Sequence, residues 1–192
     1  MYRQYLQPIK QALAQVPAKC NAIGEMAPEN KISDGLWTRQ VKEAIASVAK
    51  DNNSAGTNRI YANNCDLAED GGNEWLFDLV WAIETGQDNW ELERLLLVME
   101  SEWNRNSDNQ RYDFQKLLVA RAAIKVFVFQ EPDRENHDEK IHEFTRMLKA
   151  YKDNDEDEIY FFAGLLYANK GSEEFQFSTF DGKGAPFDLR QA

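Results

Sequence analysis

The stretch that most constrains this chain is Leu95–Met99, "LLLVM": five apolar residues in a row, followed at once by Glu100-Ser101-Glu102. A short run without polar alternation suits a strand covered on both faces. Side chains alternate along an extended chain, so Glu100 and Glu102 point the same way and Ser101 points the other. The run carries two carboxylates to the rim of a core. The rest of the chain must supply a layer on each side of that strand.

Its neighbours can be read from period and punctuation. "KVFVF" (125–129) is a second continuous apolar run and predicts a central strand. Between the two runs, the polar loop "NRNSDNQR" leads into a helix expected over 112–123, with Phe114, Leu117, Leu118 and Arg121 on one side. Upstream, "RIYANNC" (59–65) and "EWLFDLVWAIE" (74–84) read as strands, with turns at "LAEDGGN" and "TGQDN". A helix is expected over 36–50, capped by Ser33 or Asp34 and buried along Trp37, Val41, Ile45 and Val48. Another is expected over 2–16 through Leu6, Ile9, Leu13 and Val16, with Pro8 marking a late start or a kink. Residues 17–35 read as a loop.

Downstream, residues 137–152 predict an amphipathic helix with Ile141, Phe144, Leu148 and Tyr151 facing inward. Late strands follow in "DEIYFFAGLLYA" and "EEFQFSTF", before a fraying C-terminus. The order predicts an α/β fold in a single domain over 1–192. Its central β-sheet is mixed, an antiparallel meander plus a crossover strand, flanked by helices.

Charge and special residues narrow the function. A net charge of -11 and a pI of about 4.7 weigh against a surface that is basic throughout, as nucleic-acid binders usually need. A local basic rim could still be built from Arg105, Arg111, Lys116, Arg121 and Lys125. No apolar run approaches the roughly 20 residues that span a bilayer. The first residues lack the apolar segment of a signal peptide, so no membrane partner and a cytoplasmic location are expected. Cys20 and Cys65 read as free thiols, His137 and His142 as part of a solvated helix face, and "DNDEDE" (153–158) as a solvated turn. Trp75, Trp81 and Trp103 read as core or strand-edge residues rather than base-stacking ones.

Asp78 stands out because "WLFDLVW" surrounds it with apolar residues. A carboxylate there is costly unless it is paired, hydrogen-bonded or bound to a cation. An antiparallel hairpin through "TGQDN" brings it toward the Glu100 end of the next strand, in a register that the loop does not fix. Three carboxylates meeting there would suit a hard, oxygen-preferring cation such as Mg²⁺, or Mn²⁺.

A meander with an acid in its second strand, an acid-x-acid closing its third, then a helix and a buried strand resembles the PD-(D/E)XK nuclease superfamily and its restriction-endonuclease-like fold. The resemblance covers about residues 36–130. It implies that Asp78 and Glu100 are metal ligands, completed by the carbonyl of Ser101. Glu102 stands where most members have lysine, and Lys116 stands on the following helix, where some members carry it. Glu43 matches an acid that several members add from their first core helix. No proline precedes Asp78, which departs from the usual pattern. The implied activity is Mg²⁺-dependent hydrolysis of nucleic-acid phosphodiesters, with Glu102 or Lys116 positioning or deprotonating a water. The competing expectation is a non-enzymatic acidic interaction protein on the same fold, an inhibitor or nucleic-acid mimic with a protein partner.

Overall fold

A computed structural model describes residues 2–26, 33–53, 56–68, 73–85, 91–167 and 173–189. It contains a six-stranded mixed sheet in the order β1-β2-β3-β4-β5-β6: Asn58–Tyr61, Leu79–Thr85, Glu91–Glu102, Ala122–Glu131, Ile159–Leu166 and Glu174–Asp181. β1, β2 and β3 form an antiparallel meander, β3, β4 and β5 run parallel, and β6 returns antiparallel to β5. The fold is mixed α/β, as the order of elements predicts.

Among the described residues, five α-helices cover the sheet. α1 (Leu6–Ala14), α2 (Val16–Met26) and α3 (Asp34–Asp51) pack on one face, where Ile9, Leu13, Val41 and Ile45 meet Leu97, Met99, Val126 and Phe161. α4 (Ser107–Val119) and α5 (Arg134–Ala150) pack on the other, where Phe114, Leu117, Phe144 and Leu148 meet Val98, Phe127, Phe129 and Phe162. From Leu97 in β3, from Ile124 in β4 and along β5, adjacent buried apolar residues therefore alternate between the two cores. That explains why these strands read as unbroken apolar runs. The placement of α4 and α5 also follows from connectivity. β3-α4-β4 and β4-α5-β5 advance across the sheet in one direction, and two right-handed crossovers of that kind put both helices on one face.

Several boundaries move from the sequence reading, each for a local reason. Residues 16–26 are helical rather than a loop; Pro17 is the second residue of α2 and Pro8 the third of α1, positions whose N–H needs no helical partner. Part of the expected loop, 27–32, and the turn at 86–90 lie outside the described residues. α3 matches its prediction, with Ser33 Oγ accepting from the Leu36 N–H at 3.3 Å. α4 begins five residues early, because Asn106 caps Asp108 and pulls the polar stretch 107–111 into the helix. β2 begins only at Leu79, so Asp78 sits in a bend before the strand rather than inside it. The C-terminal segment up to Leu189 turns back on β6, with Phe187 N–H donating to Thr179 O at 2.8 Å.

Three polar residues are buried that read as solvated. His137 is 3% exposed, stacked on Phe129 above Gly164. Lys125, expected at a basic rim, is 1% exposed and donates to Glu158 Oε2 and Tyr160 Oη, each at 2.8 Å. Within the acidic turn, Asn154 is buried and accepts from Tyr160 Oη at 2.7 Å. Both cysteines are free and buried. No helix among the described residues is long and apolar enough to cross a membrane.

Candidate active site

The site forms where the meander meets the parallel strands. Leu79 pairs with Met99 in the antiparallel β2–β3 ladder, so the residue before β2 meets the last residues of β3. Asp78 Oδ2 accepts from the Ser101 backbone N–H at 2.8 Å and from Ser101 Oγ at 2.6 Å. Those two hydrogen bonds answer the cost of an acid among apolar neighbours. They also lock the carboxylate against the end of β3. The same strand end is tied to α3, since Trp103 Nε1 donates to Thr38 Oγ1 at 2.7 Å and Ser101 Oγ lies 3.5 Å from that hydroxyl.

Glu100 and Glu102 point the other way, under α4. Glu100 is only 3% exposed, and Lys116 Nζ reaches it from α4 at 2.5 Å. Lys116 also lies 3.4 Å from Asp113 Oδ1, one turn earlier on the helix. Glu102 is half-buried, accepts from the Asn104 N–H at 2.6 Å and faces Asp113. Two carboxylates, Glu100 and Asp113, thus hold the ammonium, while Glu102 faces Asp113 and the charge of Asp78 acts on both glutamates.

Electrostatics follow from that crowding. Burial pushes the Glu100 carboxyl up to about 8, against the pull of Lys116 and with help from Asp78 and Asp113. Burial raises Glu102 as well, opposed by the Asn104 N–H and aided by Asp113 and Asp78. For Lys116, burial works against the charged form, but the hydrogen bond and charge of Glu100 outweigh it and the pKa rises. The cluster carries more negative charge than its single cation offsets.

Of the residues singled out from sequence, five come together: Asp78, Glu100, Ser101, Glu102 and Lys116. Ser101 contributes its N–H and hydroxyl to Asp78, while its backbone pairs with Val128 in the β3–β4 ladder. Glu43 stands apart on α3, on the opposite face of the sheet, where it holds Arg39 at 2.9 Å and Gln40 at 3.0 Å. Asp113 was not singled out from sequence. Its i,i+3 spacing to Lys116 on an otherwise ordinary helix was the available signal.

Among the described residues, no three histidine, cysteine or carboxylate groups converge as a ready-made metal cage. The chemistry of the set nonetheless fits a hard divalent cation: its donors are all oxygen and its surplus charge is negative. No protein-family model, no curated protein and no solved structure matches this chain.

Proposed function

We propose that this protein is a metal-dependent phosphodiesterase of the restriction-endonuclease-like kind, acting on nucleic acid. The observation that carries the reading is the meeting of Lys116 with Glu100 beside an Asp78 clamped to the end of β3. An acid from the start of one strand, an acid-x-acid from the end of the next and a lysine from the following helix form the constellation that such hydrolysis uses.

Asp78 and Glu100 would hold a Mg²⁺ or Mn²⁺ ion. When bound, the ion lowers the pKa of a water and neutralises charge on the phosphate. The chain's own residues do the rest. Ser101 fixes the orientation of Asp78. Burial beneath α4 keeps Glu100 dry and protonated, so a cation would bind there by displacing its proton. Lys116 sits where it can steady negative charge developing on a phosphoryl oxygen. Glu102, half-exposed and raised in pKa, is placed to accept a proton from an attacking water.

A surface that works only as an acidic decoy would spread its charge over exposed convex positions. The burial of Glu100 under a helix, at the expense of its ionisation, favours the enzymatic reading. The test is cleavage of single- and double-stranded DNA and RNA with Mg²⁺ or Mn²⁺, comparing the wild type with Asp78→Ala, Glu100→Ala and Lys116→Ala. Turnover that all three variants lose supports the assignment. Turnover retained in Asp78→Ala and Glu100→Ala removes it.

A further inference from the structure

The carboxylate cluster can cut a strand only if something holds that strand, and the basic residues that could do so are few. The chain has 22 Lys and Arg against 33 Asp and Glu. Four of the 22, Arg105, Arg111, Lys140 and Arg146, wall one cavity of about 490 Å³ between the beginnings of α4 and α5. In a chain of net charge -11, that concentration is a departure from the average that needs a reason. Ser107, the first residue of α4, and Asn136, in the first turn of α5, also line it. Both helix starts are capped, α4 by Asn106 on the Asp108 N–H at 2.8 Å and α5 by Asp133 on the Asn136 N–H at 2.9 Å, so the positive charge of the wall rests on its four side chains.

The wall is built rather than incidental. Glu143 holds Arg111 in an ion pair and Lys140 at 3.0 Å, and Lys140 also donates to Ser107 Oγ at 3.0 Å. Behind the cavity, fully buried Gln110 donates to Glu131 Oε1 at 3.3 Å, while its own Oε1 has no hydrogen-bond partner among the described residues. Three acids line the cavity: Glu131, Glu143 and, at its exposed rim, Glu139. Glu143 is engaged by two of the cations, and burial shifts Glu131 toward its neutral form.

The cavity is also close to the cluster. Glu102 pairs with Phe129, so Glu131 lies one strand over and two residues further along the same face. Strand spacing and rise put those backbones roughly 8 Å apart. That is on the order of the distance between neighbouring phosphates of one strand. Arg105 comes three residues after Glu102, and Gln110 and Asp113 sit one turn apart on α4, so one short segment serves both places.

We propose that the cavity between the N-terminal turns of α4 and α5 is a phosphate-binding subsite. It seats a backbone phosphate of a nucleic-acid strand, with the phosphodiester to be cut against Glu100 and Glu102. This rests on the phosphodiesterase reading above. Arg105 and Arg146 are the freer of its cations and make the ionic contacts; Arg111 and Lys140, oriented by Glu143, shape the wall.

The test is fluorescence anisotropy with a labelled single-stranded oligonucleotide, in both DNA and RNA forms, across a salt series with metal chelated. Arg105→Gln/Arg146→Gln is compared with the wild type and with Arg3→Gln/Arg121→Gln. The latter removes the same charge at the far end of the sheet, where those two arginines line another cavity. Both members of the first pair are exposed, and matched urea unfolding checks that losing Arg105 from over the Tyr167 ring, 4.9 Å away, leaves the fold intact. The expected result is a roughly tenfold weaker complex for the first pair and a salt slope lower by about 1.4, from about 0.7 per lost contact on a single strand. The far pair should bind like the wild type. Equal affinity and slope in all three proteins would overturn the subsite and leave the cleavage assignment standing. No binding by the wild type would overturn the subsite together with the nucleic-acid substrate.

Discussion

Replacing Glu100 by glutamine probes the electrostatic core of the site. Burial moves this carboxyl from an ordinary 4.5 to about 8. At about 1.4 kcal/mol per pKa unit, the shift is worth on the order of 5 kcal/mol as an upper bound. The sign follows from which state holds the proton. The folded protein keeps it up to about pH 8, whereas the unfolded chain releases it near 4.5. Stability from this group is therefore complete below 4.5 and lost as pH rises through 8. Glutamine has the same shape and never ionises, so Glu100→Gln should remove that slope. Lys116, a third exposed, can turn its ammonium to Asp113 and water. Urea unfolding with metal chelated, at pH 5, 7 and 9, is the assay. The variant should match the wild type at pH 5 and exceed it by several kcal/mol at pH 9. A variant less stable than the wild type at pH 9, or a wild type without the slope, would refute the burial argument.

Three further substitutions test the frame around the site. Leu76 sits two residues before Asp78 at φ +68° and is 75% exposed, so Leu76→Gly should relieve left-handed strain and stabilise by about 1 kcal/mol in thermal or urea unfolding. Gly164 lies under the His137 ring, where an added Cβ would come within 2.3 Å of His137 Cδ2; Gly164→Ala should destabilise by about 1–3 kcal/mol and shift the His137 resonances in NMR. Phe114 touches Phe127, Phe144, Tyr160 and Phe162, and Phe114→Ala should cost about 3–5 kcal/mol in unfolding free energy, with α4 and its Lys116 loosened.

The parts of the fold that were legible are those where one physical signal acts alone. The unbroken runs at 95–99 and 125–129 named strands covered on both faces, and the helix between them made their pairing parallel. Ser33 named the start of α3 because capping is local. The hairpin pointed Asp78 toward the end of β3, and the Leu79–Met99 register, which the loop does not fix, completed the meeting. What stayed hidden depends on neighbours distant in sequence. Lys125 reads as a surface cation until Glu158 and Tyr160, on and beside the next parallel strand, are seen to receive it. His137 reads as solvated until Gly164 supplies the space for its ring. Asp113 reads as one more helix acid until Lys116 and Glu102 converge on it. α2 was obscured by Pro17, which breaks a helix interior but suits a first turn.

The central claim is that Asp78 and Glu100 belong to one divalent-cation site. Calorimetric titration of Mg²⁺ and Mn²⁺ into the wild type, Asp78→Ala and Glu100→Ala tests it most directly. The account predicts binding in the wild type that strengthens as pH rises toward 8, because the ion displaces the Glu100 proton. It also predicts that both variants lose that binding. A wild type silent to both metals, or variants that bind them unchanged, would contradict it.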